Sequence, residues 1–161
     1  MTMFAQGALA GAFLLAAVPA TSGGPPPAPV RAAAADTGAE VYVSVSHLRS
    51  RKGAVIACLT ADPTRFPKCK DDPSAKRAQV AAAHAQAIVF RGVGPGRYAV
   101  ALLHDENGNG KADRAMSMIP REGFGFSRDA KVSMGPPRFA DAAFPVTGSG
   151  TRMTITMRYM L

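Results

Sequence analysis

Apolar and polar residues alternate along several short stretches of this chain, and this period of two constrains its fold most strongly. The clearest stretch is 152–159, in which four apolar residues share one face: Met153, Ile155, Met157 and Tyr159. Residues 40–47 repeat the pattern with three valines. Successive side chains of a β-strand point to opposite faces of its sheet, so the alternation predicts half-buried strands. Because no long helical period accompanies them, these strands predict an all-β fold.

The middle of the chain adds further strand signals separated by turns. Residues 54–60 form a continuous apolar run typical of a central strand, and 49–53 is predicted as the polar hairpin turn before it. Three prolines and many charges predict a long loop over 61–77. The alanine-rich residues 78–86 fit a helix or a strand, and the β-formers that follow favour a strand.

A second hairpin is predicted downstream of this region. Residues 87–91 and 97–104 are its strands, and Pro95-Gly96 suits the central positions of a type II turn between them. Short strands at this spacing predict a β-sandwich, built as one domain over 36–161. A domain of about 125 residues is long enough to bury a single hydrophobic core.

The start of the chain indicates export. Residues 7–18 are uncharged and mostly apolar, and this stretch is too short to cross a bilayer core. We predict a signal peptide over 1–20, with an alternative cleavage position near 32–35, and a Pro- and Ala-rich linker over 21–35. The mature chain is then predicted to lack a transmembrane anchor and to reside in the periplasm or outside the cell.

The cysteine content agrees with an oxidising compartment. An even number of cysteines in a short exported chain predicts a disulfide, here between Cys58 and Cys69. A metal thiolate or a catalytic thiol is the weaker alternative, because the chain has neither a CxxC motif nor the Cys-His spacing of a zinc site.

The chain is basic, with a formal net charge of +8. Its lysines and arginines are dispersed, there is no tryptophan, and aromatic residues are not interleaved with the basic ones. This pattern offers no base-stacking platform, so nucleic acid is not a predicted partner. A loose attraction to anionic envelope surfaces is the functional interpretation of the charge, and a solvated basic surface is the alternative.

Oxygen-bearing side chains recur at alternate positions of a Gly- and Asn-rich loop, residues 105–113. The D-x-N-x-N-G spacing matches the first half of a Ca²⁺-binding loop, because a hard cation takes six to eight oxygen ligands and the glycine permits a sharp turn. The twelfth position, a bidentate glutamate in an EF-hand, is Met116 here, and a strand precedes the loop. We expect Glu122 or Asp141 to supply that carboxylate, and the flanking phenylalanines favour Asp141.

The sequence therefore predicts a weak, structural calcium site, with a dissociation constant of roughly 10⁻⁴–10⁻³ M. Its predicted residues are Asp105, Asn107, Asn109, Lys111, Asp113 and Asp141. The alternative is a metal-free turn, in which the Asn and Asp side chains cap their own backbone.

Residues 116–146 show little strand signal. A connection of this length without secondary structure is uncommon in a compact domain unless it has a structural or binding role. We predict a long structured loop over one end of the sandwich, with its phenylalanines closing the core. The alternative is a groove for glycan or lipid-like molecules, lined by the phenylalanine rings, with Arg121, Arg128 and Arg138 at its rim. That groove would be formed by Arg121, Phe124, Phe126, Arg128 and Phe139.

Several ordered motifs resemble those of one bacterial family, the domain of unknown function 2141. They are Gly94–Val100, His104–Lys111, Ile119–Ser127, Gly135–Phe139 and Asp141–Phe144. The resemblance covers residues 40–161 and implies an exported, Ig-like or transthyretin-like antiparallel β-sandwich. The family has no established activity, so the resemblance leaves the function open. The Cys58/Cys69 pair and the alanine-rich stretch 78–87 depart from its common pattern.

Signals of catalysis are weak in this chain. It carries no G-x-S-x-G, HExxH or Walker motif, and its histidines are His47, His84 and His104. Because His104 and Asp105 are neighbours on a strand, they point to opposite faces and are not expected to form an acid/base pair. His104 is predicted to pack at the strand end and to bond to backbone.

We therefore predict a binding or structural module, not an enzyme, with the calcium site in loop 105–113. The alternative is an envelope ligand-binding protein that uses segment 121–144, with the loop as a metal-free turn. The expected partners are an envelope glycan, a lipid or a protein.

Overall fold

A computed structural model describes most of the chain after residue 37, namely residues 38–69, 71–110, 112, 114–115 and 119–161. The predicted signal peptide and linker lie outside the described residues. Lys111 and Asp113 of the predicted metal site lie outside them too, as does Met116.

The described residues form mainly short strands, as the alternating pattern predicts. In chain order they are β1 Ala39–Ser46, β2 Ala54–Thr60, β3 Lys76–Ala81, β4 Ile88–Val93, β5 Gly96–Asp105, β6 Arg114–Ala115, β7 Ile119–Pro120, β8 Gly123–Phe126, β9 Phe144–Val146 and β10 Thr151–Thr156. One short helix, α1, spans Phe139–Ala142, and 3₁₀ turns lie at Ala82–His84 and Ser127–Asp129.

These strands are arranged in two main sheets, which confirms the all-β prediction. The three-stranded sheet has the order β10-β1-β4. The five-stranded sheet has the order β3-β2-β5-β8, and β9 pairs with the start of β5. Strands β6 and β7 pair with each other. Within the described part of the chain, no helix is long and apolar enough to cross a membrane.

Both sheets contribute side chains to one hydrophobic core. The alternate valines of β1 are almost completely buried, and they cluster with Val55 and Leu59 of β2 and with Ile155 of β10. Burying one such side chain stabilises the fold by about 1.5–3 kcal/mol. The period of two therefore positions the sheets, because each strand turns one face toward this shared core.

A second cluster lies beside α1. It contains Phe66, Ala99, Ala101, Phe126, Ala130 and Ala142, with Phe124, Val132 and Phe139 packed against it. Phe144 instead belongs to the main core. The phenylalanines of segment 116–146 thus pack in the interior or against it, in the manner of core closure.

Segment 116–146 is more regular than its sequence predicts. Strand β8 extends the five-stranded sheet, which corrects the prediction of a single long loop. A Cβ atom on Gly123 would lie 2.3 Å from the Tyr159 ring, and one on Gly125 would lie 2.9 Å from Ile155 Cγ2. Because glycine has no apolar side chain, the Gly-Phe-Gly-Phe run does not predict a strand from its sequence. The same glycines let the C-terminal residues approach the backbone of β8.

The two predicted hairpins are wrong. Strand β1 lies in the three-stranded sheet and β2 in the five-stranded sheet, and β4 and β5 are divided in the same way. Each short connection therefore crosses from one sheet to the other. Alternation indicates that a strand has one buried face, but it does not show whether the next strand of the chain lies beside it in the same sheet or across the core in the other sheet.

The prediction of an antiparallel sandwich needs one correction as well. Strand β10 pairs with β1 in parallel, from Val41 opposite Thr151 to Ser46 opposite Thr156. This direction brings the buried Ile155 beside Val45. The chain then leaves the three-stranded sheet, and Arg158 exchanges two backbone hydrogen bonds with Phe124 of the other sheet.

Candidate functional site

The carboxylate of Asp105 is wrapped by the backbone of the loop that follows it. Asp105 ends β5 and is completely buried. One of its oxygens accepts the N–H groups of Gly108 and Asn109 at 2.8 and 3.1 Å, and the other accepts the Gly110 N–H at 2.7 Å. Both glycines have φ above 70°, a backbone conformation that glycine adopts without strain. The loop thus has the geometry of an Asx-capped turn.

The predicted calcium ligands are only partly brought together. Asn107 and Asn109 lie in the same loop as Asp105, and their side chains are exposed. Asp141 lies on α1, where it is 3.4 Å from Arg138 Nε. Helix α1 packs near Ala101 of β5. Asp105 lies four residues further along the same strand, about 13 Å from Ala101. The described residues contain no cluster of three or more His, Cys, Asp or Glu side chains suited to a metal ion.

His104, the residue before Asp105, is held by two hydrogen bonds in the interior. Its Nε2 lies 2.9 Å from the carbonyl oxygen of Lys52, which can only accept, so this nitrogen carries the proton. Its Nδ1 lies 2.7 Å from the Tyr159 hydroxyl and accepts from it. As predicted, the histidine packs at the strand end and bonds to backbone. Burial raises the pKa of Tyr159, so the phenol remains a donor.

Glu106 continues this network toward the surface. It accepts from Arg49 Nε at 2.9 Å and from Ser50 Oγ at 2.6 Å. The Arg49 guanidinium also bonds to the carbonyl oxygen of Arg121 at 3.0 Å, and it lies 4.5 Å from the centre of the Tyr159 ring. The hydrogen bond from Arg49 lowers the pKa of the Glu106 carboxyl. The network therefore joins the β1–β2 connection, the Asp105 loop and the C-terminal segment.

The sequence alone does not predict that Arg49, Glu106 and Tyr159 meet in this network. Glu106 occupies a non-ligating position of the calcium pattern, and Tyr159 reads as one apolar residue of an alternating strand. Arg49 and Tyr159 are 110 residues apart in the chain. No local pattern connects residues at that separation.

A disulfide joins Cys58 of β2 to Cys69, which confirms the predicted pairing. It fixes the loop 61–75 to its own strand. Asp72 of this loop is buried. Its carboxylate accepts hydrogen bonds from the Ser74 hydroxyl at 2.6 Å and from the Ser74 N–H at 2.9 Å. It also accepts one from the Thr60 hydroxyl. Hydrogen bonds from Ser74 and Thr60 lower the pKa of Asp72 to about 2.

The same loop forms one wall of an open, mostly apolar groove of about 550 Å³. The groove is lined by Pro63, Phe66, Pro67, Pro136, Pro137, Arg138, Phe139 and Ala140. The Phe66 ring, part of this lining, makes edge contacts with Phe139 at 6.0 Å and with Phe126 at 5.8 Å. The loop and the residues before α1 are distant in sequence, so folding alone creates this surface.

Of the five residues predicted to form a ligand groove, Phe139 lines this one. Phe126 is buried in the second cluster, and Phe124 packs against it. Arg128 donates to the Ala143 carbonyl oxygen at 3.2 Å. Arg121 does not line the groove, and its carbonyl oxygen accepts a hydrogen bond from Arg49 at 3.0 Å.

A polar hollow of about 450 Å³ lies on the outer face of the three-stranded sheet. Its charged groups are engaged with one another. Glu40 accepts from Tyr42 and forms an ion pair with Arg91, and the Arg152 guanidinium lies 3.9 Å from the centre of the Tyr42 ring. These groups therefore form a network at the protein surface, and the hollow is not a candidate ligand site.

Comparison with protein families shows that residues 43–154 match the family of uncharacterised proteins conserved in bacteria, DUF2141. This range is more than half of the chain. The chain belongs to the DUF2141 family. Comparison with curated proteins and with solved structures gave no match.

The DUF2141 match includes the Asp105 loop, the disulfide and both walls of the groove. It ends before Tyr159, the phenol that holds His104. The family's description assigns no activity.

Proposed function

We propose that this chain is an exported, non-catalytic β-sandwich of the Ig-like or transthyretin-like kind that binds a lipid-like molecule of the cell envelope. The observation that carries the proposal is the groove between loop 61–75 and residues 136–140. Small-molecule sites are typically concave and mostly apolar, with a few polar groups that orient the ligand. This groove is mostly apolar and has one charged residue, Arg138, in its lining.

Covalent and proline constraints on both walls of the groove favour binding. The disulfide and Pro67 constrain one wall, and Pro136 and Pro137 constrain the other. A site that is already ordered loses less conformational entropy when a ligand binds. The edge contacts of Phe66 with Phe126 and Phe139 pack another part of the lining against its neighbours.

The lining favours a lipid-like ligand over a glycan. Its walls are proline and phenylalanine, whereas glycan recognition needs many hydrogen-bonding groups. The charged residue in the lining, Arg138, has a side chain 86% exposed and a weak ion pair with Asp141. It is positioned to receive an anionic headgroup, while the apolar walls hold the chain.

The non-catalytic part of the proposal is supported by the hydrogen bonding of the ionisable groups at the end of β5. His104, Asp105 and Glu106 direct their polar atoms at partners within the fold. Catalysis needs a base or nucleophile that faces a pocket. The proposal of export is supported by the disulfide, which persists in oxidising compartments.

The test is a titration of the purified chain with oleate. We expect saturable binding, and Ala140→Asp should weaken it about tenfold or more, because it places a carboxylate against the apolar chain. Ala87→Asp is the matched control, since Ala87 is exposed but does not line the groove. Absence of saturable binding, or equal affinity in both variants, contradicts the proposal.

A second function, structural calcium binding, is favoured by the alternate oxygens of the Asp105 loop. Because three N–H groups already occupy the Asp105 carboxylate, an ion would have to share it, and we expect millimolar affinity at best. Calcium should then raise the melting temperature over that in chelator, and Asn107→Ala should reduce the rise. An unchanged melting temperature in the native chain rules out this function and leaves a capped turn.

A further inference from the structure

Met134 is exposed to an unusual degree for a large apolar side chain. Its relative exposure is 103%, against 47% for Met160 and 59% for Leu161. It stands near the middle of a loop, residues 131–138, which we name the Met134 loop. A single exposed apolar residue needs no explanation, so the surroundings of Met134 decide its meaning.

Further apolar residues are exposed near Met134 in the chain and at the rim of the groove. Pro136, two residues further along the chain, is exposed and lines the groove, and so do the exposed Pro63 and Ala140. Met134 is therefore not an isolated exposed apolar residue in this part of the chain. Surfaces of this kind are found where proteins meet partners or membranes.

Both ends of the Met134 loop are anchored in the fold. Val132 packs against the second cluster, and Pro137 is buried. The residues between them turn outward, and a Cβ atom on Gly135 would meet nothing within 4 Å. The loop thus presents Met134 on a convex projection, which suits insertion into a fluid layer better than enclosure by a groove.

Basic residues flank this projection. Lys131 and Arg138 are exposed at its two ends, and Lys68 is exposed on the facing loop. Two carboxylates oppose them. Asp141 is itself exposed and is held at 3.4 Å by Arg138, so that pair is weak. Asp129, two residues before Lys131, is exposed too and accepts the Thr156 N–H at 2.8 Å. The whole chain carries a formal charge of +8.

We propose that the Met134 loop docks on a bilayer that contains anionic phospholipids, with Met134 entering the acyl region and Lys131 and Arg138 at the headgroups. Charge complementarity favours this partner, because each basic side chain near an anionic bilayer adds attraction and the basic chain is drawn to it from a distance. An apolar side chain can insert anywhere on the surface of a bilayer, because the acyl layer has no fixed shape to match. A protein partner would need a complementary pocket.

The docking goes beyond ligand binding in the groove and does not require it. It would place the mouth of the groove at the membrane surface. Absence of oleate binding would leave the docking untouched, because binding to vesicles reports on the Met134 loop and not on the groove.

The test uses tryptophan fluorescence, since the chain contains no tryptophan. Met134→Trp and, as matched control, Met160→Trp are mixed with vesicles of phosphatidylethanolamine and phosphatidylglycerol that carry brominated acyl chains. We expect a blue shift and quenching for Met134→Trp and neither for Met160→Trp. No change at Met134→Trp, or an equal change in both, overturns the proposal.

Partitioning measured by vesicle sedimentation supplies the second test. Met134→Asp should lower the partition coefficient about tenfold, because it removes an inserted apolar group and adds a repelled charge. Met160→Asp should leave it unchanged, and added salt should weaken binding of the native chain. Residues 1–37 are the same in every variant, so the differences report on the substituted sites. Equal partitioning of Met134→Asp and the native chain, or equal binding to phosphatidylcholine vesicles, contradicts the proposal.

Discussion

The Tyr159 hydroxyl connects three parts of the chain through one oxygen atom. It donates to Nδ1 of the buried His104, and it accepts the backbone N–H of Arg49 at 3.2 Å. Its ring lies beneath the Arg49 guanidinium and against Gly123. A buried imidazole that loses its partner keeps the full desolvation cost of that nitrogen. This residue is therefore expected to matter for stability.

Tyr159→Phe should lower the free energy of unfolding by about 1–3 kcal/mol, because His104 Nδ1 loses its hydrogen bond while the ring packing remains. Urea unfolding measures the loss. Tyr42→Phe removes a hydroxyl that bonds to Glu40 at the surface, and it should cost clearly less. An equal loss in the two variants would show that the buried hydrogen bond has no special role.

At the scale of elements, the β1–β2 connection packs closely on the end of β5. Gly53 has φ of 69°, and a Cβ atom there would lie 2.0 Å from the Asp105 carbonyl oxygen. The Gly53 carbonyl oxygen accepts from Ala82 N–H at 3.1 Å, and Lys52 accepts from His104. The crossing between the two sheets thus depends on a residue without a side chain.

Gly53→Ala should destabilise the fold by at least about 2 kcal/mol more than Gly108→Ala, because the added methyl group must displace backbone. Gly108 is the matched control, since its φ is 73° but nothing lies within 4 Å of an added Cβ. Both variants carry the cost of a left-handed alanine, about 1–2 kcal/mol. Thermal or urea unfolding of the pair isolates the contact, and indistinguishable losses would mean that the connection relaxes freely.

At the scale of the whole molecule, one buried carboxylate, Asp72, is expected to make the fold less stable at acid pH. The pKa of Asp72 falls from an ordinary value of 3.8 to about 2, mainly through hydrogen bonds from Ser74 and Thr60. The folded state therefore binds this proton less readily than the unfolded state. Its contribution to stability is complete above about pH 4 and is lost as the pH falls through 2.

The free energy of unfolding should accordingly rise between pH 2 and 4. Asp72→Asn, which cannot titrate, should flatten that rise, as measured by urea unfolding at each pH. Asp71→Asn is the control, because it removes an exposed carboxylate from the same loop and leaves the Ser74 and Thr60 hydrogen bonds in place. A slope unchanged by Asp72→Asn would assign the acid response to other groups.

Much of the secondary structure follows from the sequence by itself, because it depends on neighbours in the chain. The alternation in 40–47 and 152–159 predicts β1 and β10, and the apolar run 54–60 predicts β2. The disulfide follows from two cysteines in a short chain with a signal-like start. The alternative of a capped turn at Asp105 follows from side chains that reach their own backbone.

The tertiary structure alone decided which strands are neighbours, that β10 runs parallel to β1, and that β8 exists at the sheet edge. It also decided that His104 meets Tyr159 and that two proline-containing segments face each other across a groove. These relations join residues far apart in the chain. The physical reason is that hydrophobic burial is nondirectional. An alternating strand satisfies it against any apolar face, and only the packing of the whole chain selects one.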